Sequence, residues 1–188
     1  MSNKAVISKQ YILDTAYSLF KRPNAGSLSI RGVAAACNVS GGSIYNSFPT
    51  KADLVAEVIG TFWRESLRHD MLICETGENF VIFCERLYGE LGTTLEAFRR
   101  DWLTQLSTLD SESLREVRKR EEATFVHVRH GLALAIKNDP DIDLAPLGDN
   151  ATPERLAALV WSTMISSLKN GDTSCEMLFA LMREALYK

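Results

Sequence analysis

All five prolines of this 188-residue chain stand at apparent segment edges. Pro23, Pro49, Pro140, Pro146 and Pro153 each neighbour turn-like residues, and none falls between residues 50 and 139. A proline inside a helix removes a hydrogen bond and clashes with the preceding turn, so a long proline-free interior is open to long helices. Strand-like alternation is nearly absent. The run from Phe80 to Cys84 would suit a buried strand in isolation. Its flanks continue at helical spacing through Phe83, Leu87 and Leu91, so a helix is expected there. The expected fold class is all-α.

The helix signals are easy to place. Ile12, Leu13, Ala16, Leu19 and Phe20 make one apolar stripe, ended by Pro23 and Gly26. Ser29 is placed to cap a short helix through Val33 to Cys37, and a second short helix runs from about Gly41 to Ser47. Thr50-Lys51-Ala52-Asp53 has a capping-box arrangement, and the helix it opens carries Leu54, Val58, Phe62 and Leu67. Longer helices are expected over about 78–108, bent or split near Gly89 and Gly92, and over 111–138. Thr152 and Pro153 are a cap and first-turn proline for a further helix, which Asn170-Gly171 closes. A last helix, from Asp172 or Thr173, runs to the end of the sequence.

Composition excludes several classes. With 46% apolar and 24% charged residues, the chain is neither disordered nor a collagen-like or disulfide scaffold. No stretch approaches the roughly 18 apolar residues of a membrane-spanning helix, and the first residues lack a signal-peptide core. A cytoplasmic protein without membrane partners is expected. Cys37, Cys74, Cys84 and Cys175 lie far apart and are expected to be reduced and mostly buried. The formal net charge of −3 hides a split. Residues 1–51 hold Lys4, Lys9, Lys21, Arg22, Arg31 and Lys51 against Asp14 alone, a net of +5; residues 52–188 hold 15 basic and 23 acidic groups, a net of −8. A basic head on an acidic body is an asymmetry that singles out the first 51 residues.

That head carries the most informative segment, Ser29 to Lys51. Two short helices joined by a tight turn make a helix-turn-helix. Asn38 sits where the chain reverses, and asparagine tolerates left-handed backbone. Val33, Ala34, Cys37, Val39 and Ile44 form its small packing core, which leaves Ser43, Asn46 and Ser47 outward on the second helix. Such a face can enter a major groove and read base edges. The tail Tyr45-Asn46-Ser47-Phe48-Pro49-Thr50-Lys51-Ala52-Asp53-Leu54, with the Ile12 to Phe20 stripe, resembles the DNA-binding domain of the TetR family of bacterial transcription regulators over roughly residues 8–58. The resemblance implies phosphate contacts from Ser29, Tyr45 and Lys51. Base readout falls to Ser40, Gly41, Gly42, Ser43, Asn46 and Ser47. Arg31 is either a further DNA contact or a solvated helix residue. Gly41, Asn46 and Ser47 replace a frequent Lys, Arg and His, and Gly32 stands where an acidic capping residue is usual. The recognition helix is thus less basic than is common in the family, and Lys4 and Lys9 are candidates to compensate.

The resemblance implies domains at 1–52, for DNA binding, and at 53–188, for dimerisation and effector binding. Leu156, Leu159, Val160, Thr163, Met164 and Leu168 recur at helical spacing, as do Leu178, Leu181, Met182 and Ala185. Either stripe would also serve an intramolecular core. A homodimer through these two helices is preferred, because recognition helices one DNA turn apart require a two-fold partner. Phe83, Tyr88, Phe98, Trp102, Phe125 and Trp161 are candidate walls for a small apolar or aromatic effector, and equally candidate core residues. No cofactor, catalytic motif or metal is expected. His127 and His130 lack further ligands at metal spacing, and the run Asp139 to Asp143 fails as a calcium loop, since Leu144 and Asn150 occupy its glycine and glutamate positions. The expected function is a homodimeric repressor that leaves its double-stranded operator on binding an effector. The alternative is a DNA-binding regulator or architectural protein with no effector.

Overall fold

A computed structural model describes residues 7–22, 28–67, 69–75 and 77–187, leaving out the side chains of residues 69, 70 and 97–105. Lys4, Pro23 and Gly26 lie outside the described residues, as do the side chains of Phe98 and Trp102. The described residues are helical, with no strand. The helices are α1 (Lys9–Phe20), α2 (Ile30–Ala36), α3 (Gly41–Ser47), α4 (Lys51–Ser66), α5 (Phe80–Ser107), α6 (Ser111–Thr124), α7 (Val126–Asn138), α8 (Pro153–Asn170) and α9 (Glu176–Leu186). Short 3-10 turns lie at His69–Leu72 and Ala145–Leu147. No described helix is long and apolar enough to cross a membrane.

By contacts the chain divides into two compact units. The first unit joins residues 1–65 to 98–124, and the second joins 66–97 to 125–188. The physical reason is that α4 and α6 are tied together. The Trp63 indole N–H donates to the buried Glu121 carboxylate at 2.8 Å, and Arg120 donates to Asp53 at 2.7 Å. Helix α4 therefore belongs with the head, although its sequence is acidic and apolar like the body.

In the first unit, Ile12, Ala16 and Phe20 of α1 and Val33 of α2 are buried with Ile44, Phe48, Leu54 and Trp63. The N-caps follow the sequence. Ser8, Ser29 and Ser40 each accept a backbone N–H three residues on, from Tyr11, Gly32 and Ser43. At the α2 C-terminus Asn38 adopts φ +55°, with its N–H on the Ala35 carbonyl and that of Val39 on Ala34. This paired closure satisfies the last carbonyls of α2 and reverses the chain toward α3.

In the second unit, α7 packs along α8. Val128, Leu132 and Ile136 of α7 are buried, as are Ala157, Val160, Trp161, Met164 and Leu168 of α8. Helix α5 runs unbroken through both glycines. A Cβ at Gly92 would stand 3.6 Å from the Leu168 side chain, so this glycine permits close helix packing without a bend. The segment expected as one helix over 111–138 divides at Phe125. Thr124 returns its hydroxyl to the Arg120 carbonyl at 3.1 Å, a bond that bends helices, and Phe125 turns inward onto Trp161. Helix α9 starts at Glu176 because the Asp172 carboxylate first accepts the N–H groups of Ser174 and Cys175.

Candidate nucleic-acid interface

Helices α2 and α3 form the helix-turn-helix, packed on the fully buried Val33 and Ile44. Between them opens a concavity of about 490 Å³, lined by Ile30, Arg31, Ala34, Ala35, Val39, Gly41 and Tyr45. Tyr45 is 50% exposed and Arg31 is exposed, so both present their polar ends to solvent on this face. Gly42 and Asn46 are exposed at i, i+4 on the same side of α3, while Ser43 and Ser47 are half-buried. Of the serines, Ser29 and Ser40 are engaged as caps, and the Ser40 and Ser43 hydroxyls lie 3.1 Å apart. The ten residues named as DNA contacts thus lie in one stretch of the first unit, most of them at the surface; Ser40 and Ser43 are bonded to each other.

The basic groups around this face are partly committed within the chain. Lys51 donates to the Thr108 hydroxyl at 3.0 Å at the α4 N-terminus. Lys9 lies 5.1 Å from the centre of the Phe48 ring and 3.9 Å from the Glu57 carboxylate. Lys21 lies over Tyr17 and pairs with Glu65 at 3.5 Å. The Glu65 carboxylate also accepts from the Tyr17 hydroxyl, and burial first, then this bond, raises the phenol pKa. Beside Lys51, the Asp53 carboxylate accepts from the Thr50 N–H at 3.0 Å, from its hydroxyl at 2.8 Å and from Arg120. Burial pushes the Asp53 pKa up, but the Thr50 and Arg120 hydrogen bonds outweigh it and hold the carboxyl below its ordinary value. The capping box was legible in the sequence. Thr108 and Arg120 were not, being 57 and 67 residues distant.

Of the residues named for an effector, Phe83, Tyr88, Phe125 and Trp161 lie in the second unit, whereas Phe98 and Trp102 fall in the first. Phe125 and Trp161 meet edge to face, ring centres 5.1 Å apart. The Trp161 indole nitrogen is buried with no hydrogen-bond partner. Tyr88 packs on Phe179, which the sequence reading missed, and donates to the Asp172 carbonyl at 2.6 Å. Phe83 is buried, with the Arg86 guanidinium 5.3 Å from its ring centre. His127 and His130 are exposed and line a separate groove of about 350 Å³ with Leu72, Cys74 and Leu134. Among the described residues no group of three or more His, Cys, Asp or Glu side chains is arranged to hold a metal. Asp139 instead accepts from the Phe80 N–H and the Tyr187 hydroxyl, tying the start of α5 to the residue after α9.

The stripes named for dimerisation divide by burial within the chain. Val160 and Met164 are fully buried and Met182 is 4% exposed. On α8, which packs against α7, the first two are covered within the chain. Leu159 and Leu181, each 60% exposed, point outward instead, and Leu156, Thr163 and Leu178 are intermediate. Met177, 73% exposed, was not named because it stands one position before the α9 stripe.

Residues 12–58 match the family model for bacterial regulatory proteins of the tetR family. The whole fold is shared with a transcriptional regulator from Rhodococcus sp. Rha1, at 18% identity and TM-score 0.59, covering 96% of this chain and 98% of that one. It is also similar to a Clostridium perfringens protein proposed to regulate fatty acid metabolism, at 15% identity and TM-score 0.50, covering 94% of this chain and 98% of that one. No curated protein shows significant sequence similarity to the chain. The helix-turn-helix segment thus matches the tetR family model over residues 12–58, and the all-helical fold is the one seen in solved transcriptional regulators.

Proposed function

We propose that the protein is a homodimeric, sequence-specific DNA-binding repressor released from its operator by a small apolar or aromatic effector. The observation that carries the DNA contact is the exposed polar face of α3, with Tyr45 beside it and Lys51 at the start of α4. Ser29, Tyr45 and Lys51 hold phosphates and set the register, and the α3 face lies in the major groove. Lys51 exchanges its Thr108 hydroxyl for a phosphate, a favourable trade for a cation. Arg31, at the rim of the α2–α3 concavity, adds a further phosphate contact. Dimerisation is supported by the uncovered Leu159, Met177 and Leu181 side chains, large apolar groups of the kind that mark association surfaces.

An effector is supported by Trp161. A buried donor left unpaired costs about 1–3 kcal/mol, and an acceptor on a bound ligand would recover that. Effector binding then favours a dimer whose recognition helices are wrongly spaced for the operator. A second reading, regulation without an effector, draws on Tyr88, whose ring and hydroxyl are both satisfied by Phe179 and Asp172 as in an ordinary core. A mobility-shift assay on the protein's own upstream DNA, at low salt with random competitor, tests the proposal. Selective binding weakened by an apolar compound is expected. A folded dimer without selective binding overturns it, and selective binding that no compound weakens favours the second reading.

A further inference from the structure

We infer that Asn46 is the residue through which α3 selects a base, and that the base is adenine; the inference rests on the proposed insertion of α3 in the major groove. The seven residues of α3 carry no acidic or basic side chain. Ile44 is fully buried, and Gly41 and Gly42 have no side chain to offer. The Ser43 hydroxyl lies 3.1 Å from that of Ser40, which also accepts the Ser43 N–H, so both serines are bound into the helix cap. Ser47 is half-buried at the last helical position. Asn46 alone on this helix combines exposure with a side chain that makes no hydrogen bond among the described residues and can form two bonds in one plane.

The chemistry then narrows the base. A hydroxyl donates and accepts through one rotatable atom and discriminates poorly. A carboxamide presents one donor and one acceptor side by side. In the major groove, adenine offers the matching pair, its N7 acceptor beside its N6 donor, whereas guanine offers two acceptors. The usual guanine readers, Arg and Lys, are missing from α3. Asparagine is short, so it reads a base only if the helix approaches the groove floor closely. The bare first turn permits this: an added Cβ at Gly41 would meet nothing within 4 Å, and Gly42 lies one turn from Asn46 on the same face.

Selection of full-length protein on random-sequence duplexes, followed by sequencing, tests the assignment with wild type, Asn46→Ala and the isosteric Asn46→Asp. Wild-type sites should share an A·T pair at one fixed position of each half-site, preferred over other pairs by about 5- to 150-fold. Both variants should lose that preference there alone and keep the remaining pattern. Asn46→Ala should keep its thermal midpoint, since the side chain has no intramolecular partner among the described residues. Unchanged base preference in the variants overturns the assignment, as does relaxation at a position where wild type selects G·C. Failure of wild type itself to enrich any motif would overturn the DNA reading beneath it, an outcome distinct from an enriched motif indifferent to Asn46.

Discussion

Replacing Asp53 by alanine should loosen the joint between the start of α4 and α6, by an amount that follows from its contacts. The substitution removes the acceptor of the Thr50 N–H and hydroxyl, and the partner of Arg120. Loss of a helix-start cap costs about 1 kcal/mol. The ion pair, whose Arg120 side chain is 37% exposed, adds about 0.2–1 kcal/mol. A total of about 1–2 kcal/mol lowers the thermal midpoint of a chain this size by about 2–8 °C. The pH dependence is the sharper test. The carboxyl is held below its ordinary value in the folded state, so its stabilisation is complete above the unfolded carboxylate pKa, about 3.9. It is lost as pH falls through the lower folded value. Thermal melts by circular dichroism, at fixed protein concentration from pH 8 to pH 2, should give a constant gap between wild type and Asp53→Ala down to about pH 5. The gap should close towards the acid end. An Arg120→Ala cycle should return a coupling of about 0.2–1 kcal/mol. A gap at pH 3 as wide as at pH 7, or no coupling to Arg120, would refute the assignment of the lowered pKa to these bonds.

The remaining predictions concern binding and assembly. Tyr45→Phe and Lys51→Ala should weaken binding on all sequences alike, and titration with salt should show the slope for Lys51→Ala flatter by about one unit. Gly41→Lys, placed where the backbone faces open space, should raise affinity on every duplex and steepen that slope by about one unit. Leu159→Glu combined with Leu181→Glu should yield a folded monomer in sedimentation. Met164→Ala, in the core, should instead cost about 2–5 kcal/mol of stability without changing the association constant. Once a releasing compound with a hydrogen-bond acceptor is in hand, Trp161→Phe should reduce its potency by about 5- to 150-fold in a DNA-release titration; equal potency would remove the indole N–H from the effector site.

The helices and their ends were legible in the sequence wherever the information is local. Ser29 and Ser40 cap, Asn38 turns left-handed, the Thr50–Asp53 box closes and Gly171 ends α8 at φ +84°. Each is decided by residues within a few positions of one another. The helix-turn-helix belongs to the same class, because its core and outward face lie within one 23-residue stretch from Ser29 to Lys51. Tertiary structure decided what depends on a remote partner. Periodicity cannot distinguish a stripe that packs inside the chain from one that meets a second copy, so only the packing of α7 on α8 separated buried Val160 and Met164 from exposed Leu159. The same holds for the unit boundary. Asp53 and Trp63 look like the start of the acidic body until Arg120 and Glu121, about 60 residues on, draw α4 into the unit that carries α3. The basic charge of the head was countable from the sequence. That Lys9, Lys21 and Lys51 already have partners within the chain follows only from the three-dimensional arrangement of Glu57, Glu65 and Thr108 around them.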